Sequence, residues 1–142
     1  MKSLRARQKA RRLLVQALYS WEVGGIDVTA IESHFLATND MEKVDTDLFH
    51  DVLFGVATNW IEIDQTFEPY LDRANEQLDP VSRAVLRLST FEMLYSIQVP
   101  YRVVINEAVN LAKTFGPEDA FKFINGVLDK VAVNSRSLEV AD

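Results

Sequence analysis

The chain of 142 residues fits one domain, and 48% hydrophobic content with only five Gly and four Pro argues for a packed globule rather than disorder or low complexity. Zero cysteines exclude disulfides, thiolate metal sites and thiol nucleophiles, and His34 and His50 are too few and too isolated to suggest a metal cluster. The net charge of −6 conceals an asymmetry. Of 15 Lys and Arg and 21 Asp and Glu, residues 1–12 hold Lys2, Arg5, Arg7, Lys9, Arg11 and Arg12 and no acid, so this arm is +6 and the other nine basic and 21 acidic residues make −12.

A polyanion is therefore drawn to the arm and repelled elsewhere. No apolar run approaches the roughly 18 residues that span a bilayer, and the basic start runs into Gln, Tyr, Ser and Glu rather than a secretory apolar stretch, which predicts a cytoplasmic protein.

From about Ser3 to Trp21 the pattern is helical, with Ala10, Leu13, Leu14, Ala17, Leu18 and Trp21 on one face and Arg5, Gln8, Lys9, Arg12, Gln16 and Tyr19 on the other. Arg11 falls on the flank, and Arg7 on the apolar side one turn before the stripe begins. Gly24-Gly25 closes this helix. Asp27 is an N-cap for a second helix to about Ala37, with Ile31 and Phe35 inward, followed by a Thr38-Asn39-Asp40 loop. Asp45 caps a third helix with Leu48, Phe49, Val52, Leu53 and Val56 inward, which either breaks near Thr58-Asn59 or bends and runs on towards Leu71.

Asp79-Pro80 is the clearest start signal, for a helix to about Ile97. Val81, Ala84, Val85, Leu88, Phe91 and Tyr95 share a broad face while Leu86, Met93 and Leu94 lie on other sides, so this helix is placed centrally between neighbours. Glu92 falls near its inward face, where a carboxylate needs a cation or backbone N–H groups unless it is a solvated edge residue. Leu86 and Met93, seven residues apart and flanked by Ser82 and Arg83, form either an outward partner surface or an internal contact.

Pro100 sets the start of a helix carrying Val104, Ala108, Leu111, Ala112 and Phe115 inward, and Gly116-Pro117 ends it and opens the last, with Phe121, Ile124, Leu128 and Val131 inward. Phe123 lies roughly 120° from that face, either free to stack or packed on a neighbour. With no strand alternation and no long repeat, the fold class is all-α, a single domain of six or seven helices.

Six cations at a helix start work against the macrodipole, so helix stability does not explain them. Arginines beside the exposed ring of Tyr19 suit single-stranded nucleic acid, with cations on phosphates and the ring stacking a base. The competing account is a solvated, frayed terminus. For enzyme chemistry the chain lacks GxGxxG, P-loop, HExxH and nucleophile-elbow motifs, which predicts no catalysis and no cofactor; Glu107 reads as a structural hydrogen-bond partner.

The run Val99-Pro100-Tyr101-Arg102-Val103-Val104-Ile105-Asn106-Glu107-Ala108, with Lys113, Phe115-Gly116, Lys122-Phe123 and Asn125-Gly126-Val127-Leu128-Asp129-Lys130, closely resembles the C-terminal signature of the NusB family of bacterial transcription antitermination factors. The likeness extends to Ala84-Val85-Leu86-Arg87 with Phe91-Glu92, and to Ala10-Arg11 with Gln16-Ala17-Leu18-Tyr19, covering essentially the whole chain. It implies two small helical bundles, about 3–73 and 79–134, around the shared central helix. It also implies a non-catalytic protein that binds boxA RNA together with the small ribosomal subunit protein NusE. That complex joins other Nus factors on RNA polymerase, suppressing premature termination and supporting ribosomal RNA synthesis.

By position the resemblance puts Arg7, Arg11 and Tyr19 on the RNA, beside the residue-level candidates Arg5, Lys9, Arg12 and Phe123. It places Asp119 and Phe123 near the RNA and partner surface, while the outward stripe read from the residues adds Ser82, Arg83, Leu86 and Met93 as partner-binding candidates. Relatives carry denser arginine where this chain has Gln8-Lys9, and several carry an acid at Ser82. The alternatives are an RNA-recognition module like that of ribosomal RNA cytosine methyltransferases, for whose cofactor domain the chain has no room, and a protein-only helical adaptor.

Overall fold

The computed structural model describes residues 2–141, in which seven α-helices and two 3₁₀ turns occur and no strand. Ser3 opens α1 (Leu4–Gly24), its hydroxyl accepting from the Ala6 N–H at 3.1 Å, and Gly25 ends it at φ 64, a left-handed conformation natural to glycine. Asp27 caps α2 (Val28–Thr38) and Asp45 caps α3 (Thr46–Phe67), each carboxylate accepting a first-turn N–H as the sequence predicts.

The open question about α3 resolves as one bent helix. At Asn59 φ and ψ are −116° and 19°, and its Nδ2 donates to the Gly55 carbonyl at 2.9 Å, the acceptor its own N–H would take in a regular helix. Beyond Phe67 the chain tightens into the 3₁₀ turn Glu68–Tyr70 around Pro69, and a second such turn, Asn75–Gln77, leads to α4 (Pro80–Tyr95).

α4 is the axle. Asp79 accepts the Ser82 N–H at 2.9 Å, Pro80 occupies the first turn, and every residue from Ala84 to Met93 is buried. Helices α1, α3, α5 (Tyr101–Phe115) and α6 (Ala120–Ser135) all pack on it, and one continuous hydrophobic core runs through the set. This closes the question left by Leu86 and Met93. They are 0% and 1% exposed, because a helix with four neighbours has no free stripe in its middle, so neither can form an outward partner surface.

Two helix ends depart from expectation, one through an intruding side chain and one through a backbone conformation. α4 stops at Tyr95 rather than Ile97 because Arg136 takes its last carbonyls: Nε donates to Met93 at 2.8 Å and Nη2 to Glu92 and Ser96 at 3.2 and 3.1 Å. Tyr95, expected inward, is exposed and donates its hydroxyl to the Glu62 carboxylate. α6 starts at Ala120, three residues after Pro117, because Asp119 takes a left-handed φ of 66°.

A short α7 (Ser137–Ala141), absent from the sequence reading, is tied down through Glu139. That carboxylate accepts from Arg136 Nη1 at 2.7 Å and from the Tyr101 N–H at 2.8 Å, supplying the cap that Pro100 cannot give α5. These bonds, the backbone one first, hold the Glu139 carboxyl below its ordinary range.

Gly55 in α3 meets the ring of Phe91 in α4 so closely that a Cβ would lie 2.2 Å from its Cε2. Helix propensity alone predicts that Gly55→Ala stabilises by up to about 1 kcal/mol. We expect it instead to destabilise by about 1–3 kcal/mol through overpacking, with Phe91→Leu restoring part of the loss. Thermal melts of both variants decide this; an unchanged or raised Tm for Gly55→Ala contradicts the close approach.

Candidate nucleic-acid interface

α1 divides its cations between two environments. Arg5, Lys9, Arg12, Gln16 and Tyr19 recur at i, i+4, i+7, i+11 and i+14, which places them on one stripe about 21 Å long. Arg5, Arg12, Gln16 and Tyr19 are exposed and Lys9 is half-buried, with Tyr19 43% accessible. Arg7 turns away from this stripe. Its Nη1 donates to the Lys2 carbonyl at 2.5 Å, and it lines a cleft with Asp45, Asp47 and Asp51.

Arg11 is not on the surface. Its Nε and Nη2 donate to the two oxygens of Glu92 at 2.8 and 2.9 Å, with both side chains 1% exposed, and Glu107 Oε1 stands 3.7 Å from Nη1. Burial pulls the Arg11 pKa down. The hydrogen bonds and charge of Glu92, followed by Glu107 and Asp45, outweigh it and raise the value, so the guanidinium stays charged in the core. The pairing expected for Glu92 is met, and Arg11, expected on the RNA, is instead 1% exposed and engaged with Glu92. Glu107, half-buried, accepts from Gln8 Nε2 at 3.1 Å, the structural role read from the sequence.

Phe123 is half-buried rather than free, and Arg73 lies over its ring at 4.7 Å. Phe121, expected inward, is equally half-buried, with Lys113 Nζ 4.8 Å from its centroid. A cleft of about 260 Å³ brings together Arg73, Leu78, Asp79, Ser82, Asp119 and Phe123. Asp119 is exposed, with Lys122 at 3.6 Å, whereas Ser82 is only 2% exposed and forms the floor. Arg73 is a site residue that sequence reading missed, because nothing in a local pattern links position 73 to position 123.

Arg83 is committed elsewhere. It grips Glu22 through Nε and Nη2 at 2.6 and 2.8 Å and donates from Nη1 to the Asn75 carbonyl at 2.5 Å, which raises its pKa, the Glu22 hydrogen bond contributing most. Its neighbour Arg87 binds Glu22 at 2.8 Å and both oxygens of Asp64 at 2.9 and 2.7 Å, between the rings of Trp21 and Trp60. Arg83, expected at the partner surface, is half-buried and ties α4 to Glu22 in this structure.

A model of the NusB family matches residues 8–133. The chain belongs to the NusB family. It is 51% identical over 137 residues to the transcription antitermination protein NusB of Alcanivorax borkumensis, covering 96% of this chain and 91% of that protein, and 53% identical over 134 residues to that of Pseudomonas savastanoi pv. phaseolicola, covering 94% and 81%. A crystal structure of T. maritima NusB superposes with a TM-score of 0.83 at 32% identity over the whole of both chains. A crystal structure of the antitermination factors NusB and NusE in complex with dsRNA superposes at 0.76, 26% identical, covering 91% of this chain and 97% of that one.

Among the described residues no helix is long and apolar enough to cross a membrane, and no group of three His, Cys, Asp or Glu could hold a metal ion.

In this NusB-family chain Glu22 is the carboxylate on which two clamp arginines converge. Burial raises its pKa, but the Arg83 hydrogen bond and charge, with Arg87, lower it below the ordinary 4.5. A carboxyl whose pKa is depressed on folding stabilises above its unfolded value and loses that contribution as pH falls through the folded one. Glu22→Gln should therefore lower stability near neutral pH by about 1.5–3 kcal/mol and flatten the loss seen on acidification below about pH 4.5. Urea titrations across pH 3–7, as an order-of-magnitude window, measure this; an equally steep acid loss in the variant contradicts it.

Proposed function

We propose that this chain is a non-catalytic, RNA-binding transcription antitermination factor that acts with NusE. One observation carries the reading: the cations Arg5, Lys9 and Arg12 share α1 with an accessible Tyr19 and Lys2 immediately precedes that helix, while the rest of the sequence is strongly acidic. Membership of a family whose relatives are named for antitermination, and likeness to a NusB of a NusB–NusE–RNA complex, support it. By the same family likeness the RNA is of boxA type, and the assembly reaches RNA polymerase through other Nus factors.

NusE is proposed to dock over the cleft of Arg73, Asp119 and Phe123 rather than on the middle of α4, where Leu86 and Met93 are core. The RNA is proposed to be single-stranded where it crosses Tyr19, since a duplex keeps its bases stacked and offers no free face to the ring.

Four phosphate contacts to a single strand imply a log–log salt slope of about −3. Arg12→Ala should lower the magnitude of this slope by about 0.7 and weaken boxA-like and scrambled RNA alike, because phosphate contacts position without reading bases. Tyr19→Ala should leave the slope unchanged and cost about 1–3 kcal/mol of binding to single strands, with little effect on duplex RNA. Anisotropy titrations over a salt series, paired with melts, test both. A folded Tyr19→Ala protein that binds single-stranded RNA normally refutes the stacking role, and an unchanged slope in Arg12→Ala removes the α1 face from the mechanism.

A further inference from the structure

The basic surface does not end with the first helix. The α2–α3 connection folds back on the start of α1: the Asp45 N–H donates to the Ala6 carbonyl at 3.1 Å, Val44 is buried against the core, and the Glu42 N–H bonds Asp40 Oδ1 at 3.1 Å in an Asx-type turn. This holds Lys43 beside the arm. Lys2, Arg5 and Lys43 line a single surface concavity of about 310 Å³ together with Ser3, Glu42 and Val44. Lys2, Arg5 and Lys43 are all exposed, and none of the three makes a salt bridge with an acid among the described residues.

Arg5 belongs to both groups: it begins the outward stripe of α1 and it walls the concavity that contains Lys43. A polyanion following Tyr19, Arg12, Lys9 and Arg5 in that order therefore meets Lys43 and Lys2 next. With Arg11 withdrawn into the core and Arg7 turned towards the Asp45–Asp51 cleft, Lys43 replaces part of the charge that the arm has given up. Glu42 is the one acid in the concavity and works against it.

We propose that Lys43, with Lys2 and Arg5, forms a further phosphate subsite at which bound RNA runs off the N-terminal end of α1 onto the α2–α3 connection. This rests on the reading of α1 as the RNA-binding face. Ser3 already satisfies the Ala6 N–H, so the cations rather than the helix-end amides supply the attraction.

The test is a salt series of anisotropy titrations on the full chain with one single-stranded RNA of about 12 nucleotides, a length within the usual site size. The variants are Lys43→Ala, Lys43→Arg, Glu42→Gln and Arg12→Ala, each with a melt to confirm folding. One lost single-strand contact lowers the slope magnitude by about 0.7, equivalent to about fivefold weaker binding at 0.1 M salt. Lys43→Ala should show that loss, Lys43→Arg should keep wild-type behaviour, and Glu42→Gln should bind more tightly. If Arg12→Ala loses slope while Lys43→Ala does not, the subsite is wrong and the α1 reading stands. If neither variant changes the slope, the α1 reading fails and the subsite with it.

Discussion

The ion pair between Arg11 and Glu92 joins the first helix to the central one inside the core, and the rest of the arrangement depends on it. Two charges buried at this depth are tolerated only with near-ideal geometry, and the two parallel N–H to oxygen bonds at 2.8 and 2.9 Å supply it. The pair fixes what apolar contacts leave undetermined. α4 is buried on all sides, so hydrophobicity alone does not specify its rotation or its height between neighbours, whereas a bidentate pair at position 92 admits one setting. Arg87 repeats the device against Asp64 and Glu22, and Arg136 repeats it against the carbonyls that end the helix. All five N–H groups of Arg136 are used, on Glu92, Met93, Ser96, Val99 and Glu139.

Function follows from which cations these clamps consume. Arg11, Arg83, Arg87 and Arg136 are tied to carboxylates or carbonyls within the fold. Among the cations left outside, Lys2, Arg5, Lys9 and Arg12 cluster at one end of α1, on a protein whose remaining sequence is acidic overall. Concentrated positive charge on an otherwise repelling surface confines a polyanion to one path, and Tyr19 offers that path a ring face. The same accounting leaves the middle of α4 buried, which is why the partner is proposed instead at the cleft where Arg73 covers Phe123 and Asp119 stands exposed.

Much of this was legible in the sequence, and the pattern of success is physical. Caps at Asp27, Asp45 and Asp79 are local chemistry, readable from a few residues, and they are found where expected. The all-round apolar character of α4 signalled a central helix, and an inward Glu92 signalled a buried partner. What a single helix cannot disclose is which neighbour closes over a given side. Leu86 and Met93 looked available because no periodicity shows α4 enclosed by four helices. Arg11 was placed on the RNA by its position in the family, although the carboxylate it satisfies lies 81 positions away. α7 and the early stop of α4 were invisible for the same reason, since both depend on Arg136 and Glu139 reaching across the fold.

The central claim is that Arg11 holds the fold together while its neighbours on α1 hold the ligand. The direct measurement is a double-mutant cycle, Arg11→Met and Glu92→Leu singly and together, in which each variant is unfolded with urea and titrated with single-stranded RNA. Removing one partner of a buried pair should cost about 3–5 kcal/mol, and replacing both with apolar side chains should return most of it. In the folded double variant RNA affinity and its salt slope should match the wild-type protein. A double variant that is stable yet has lost RNA binding would place Arg11 on the ligand and contradict the account.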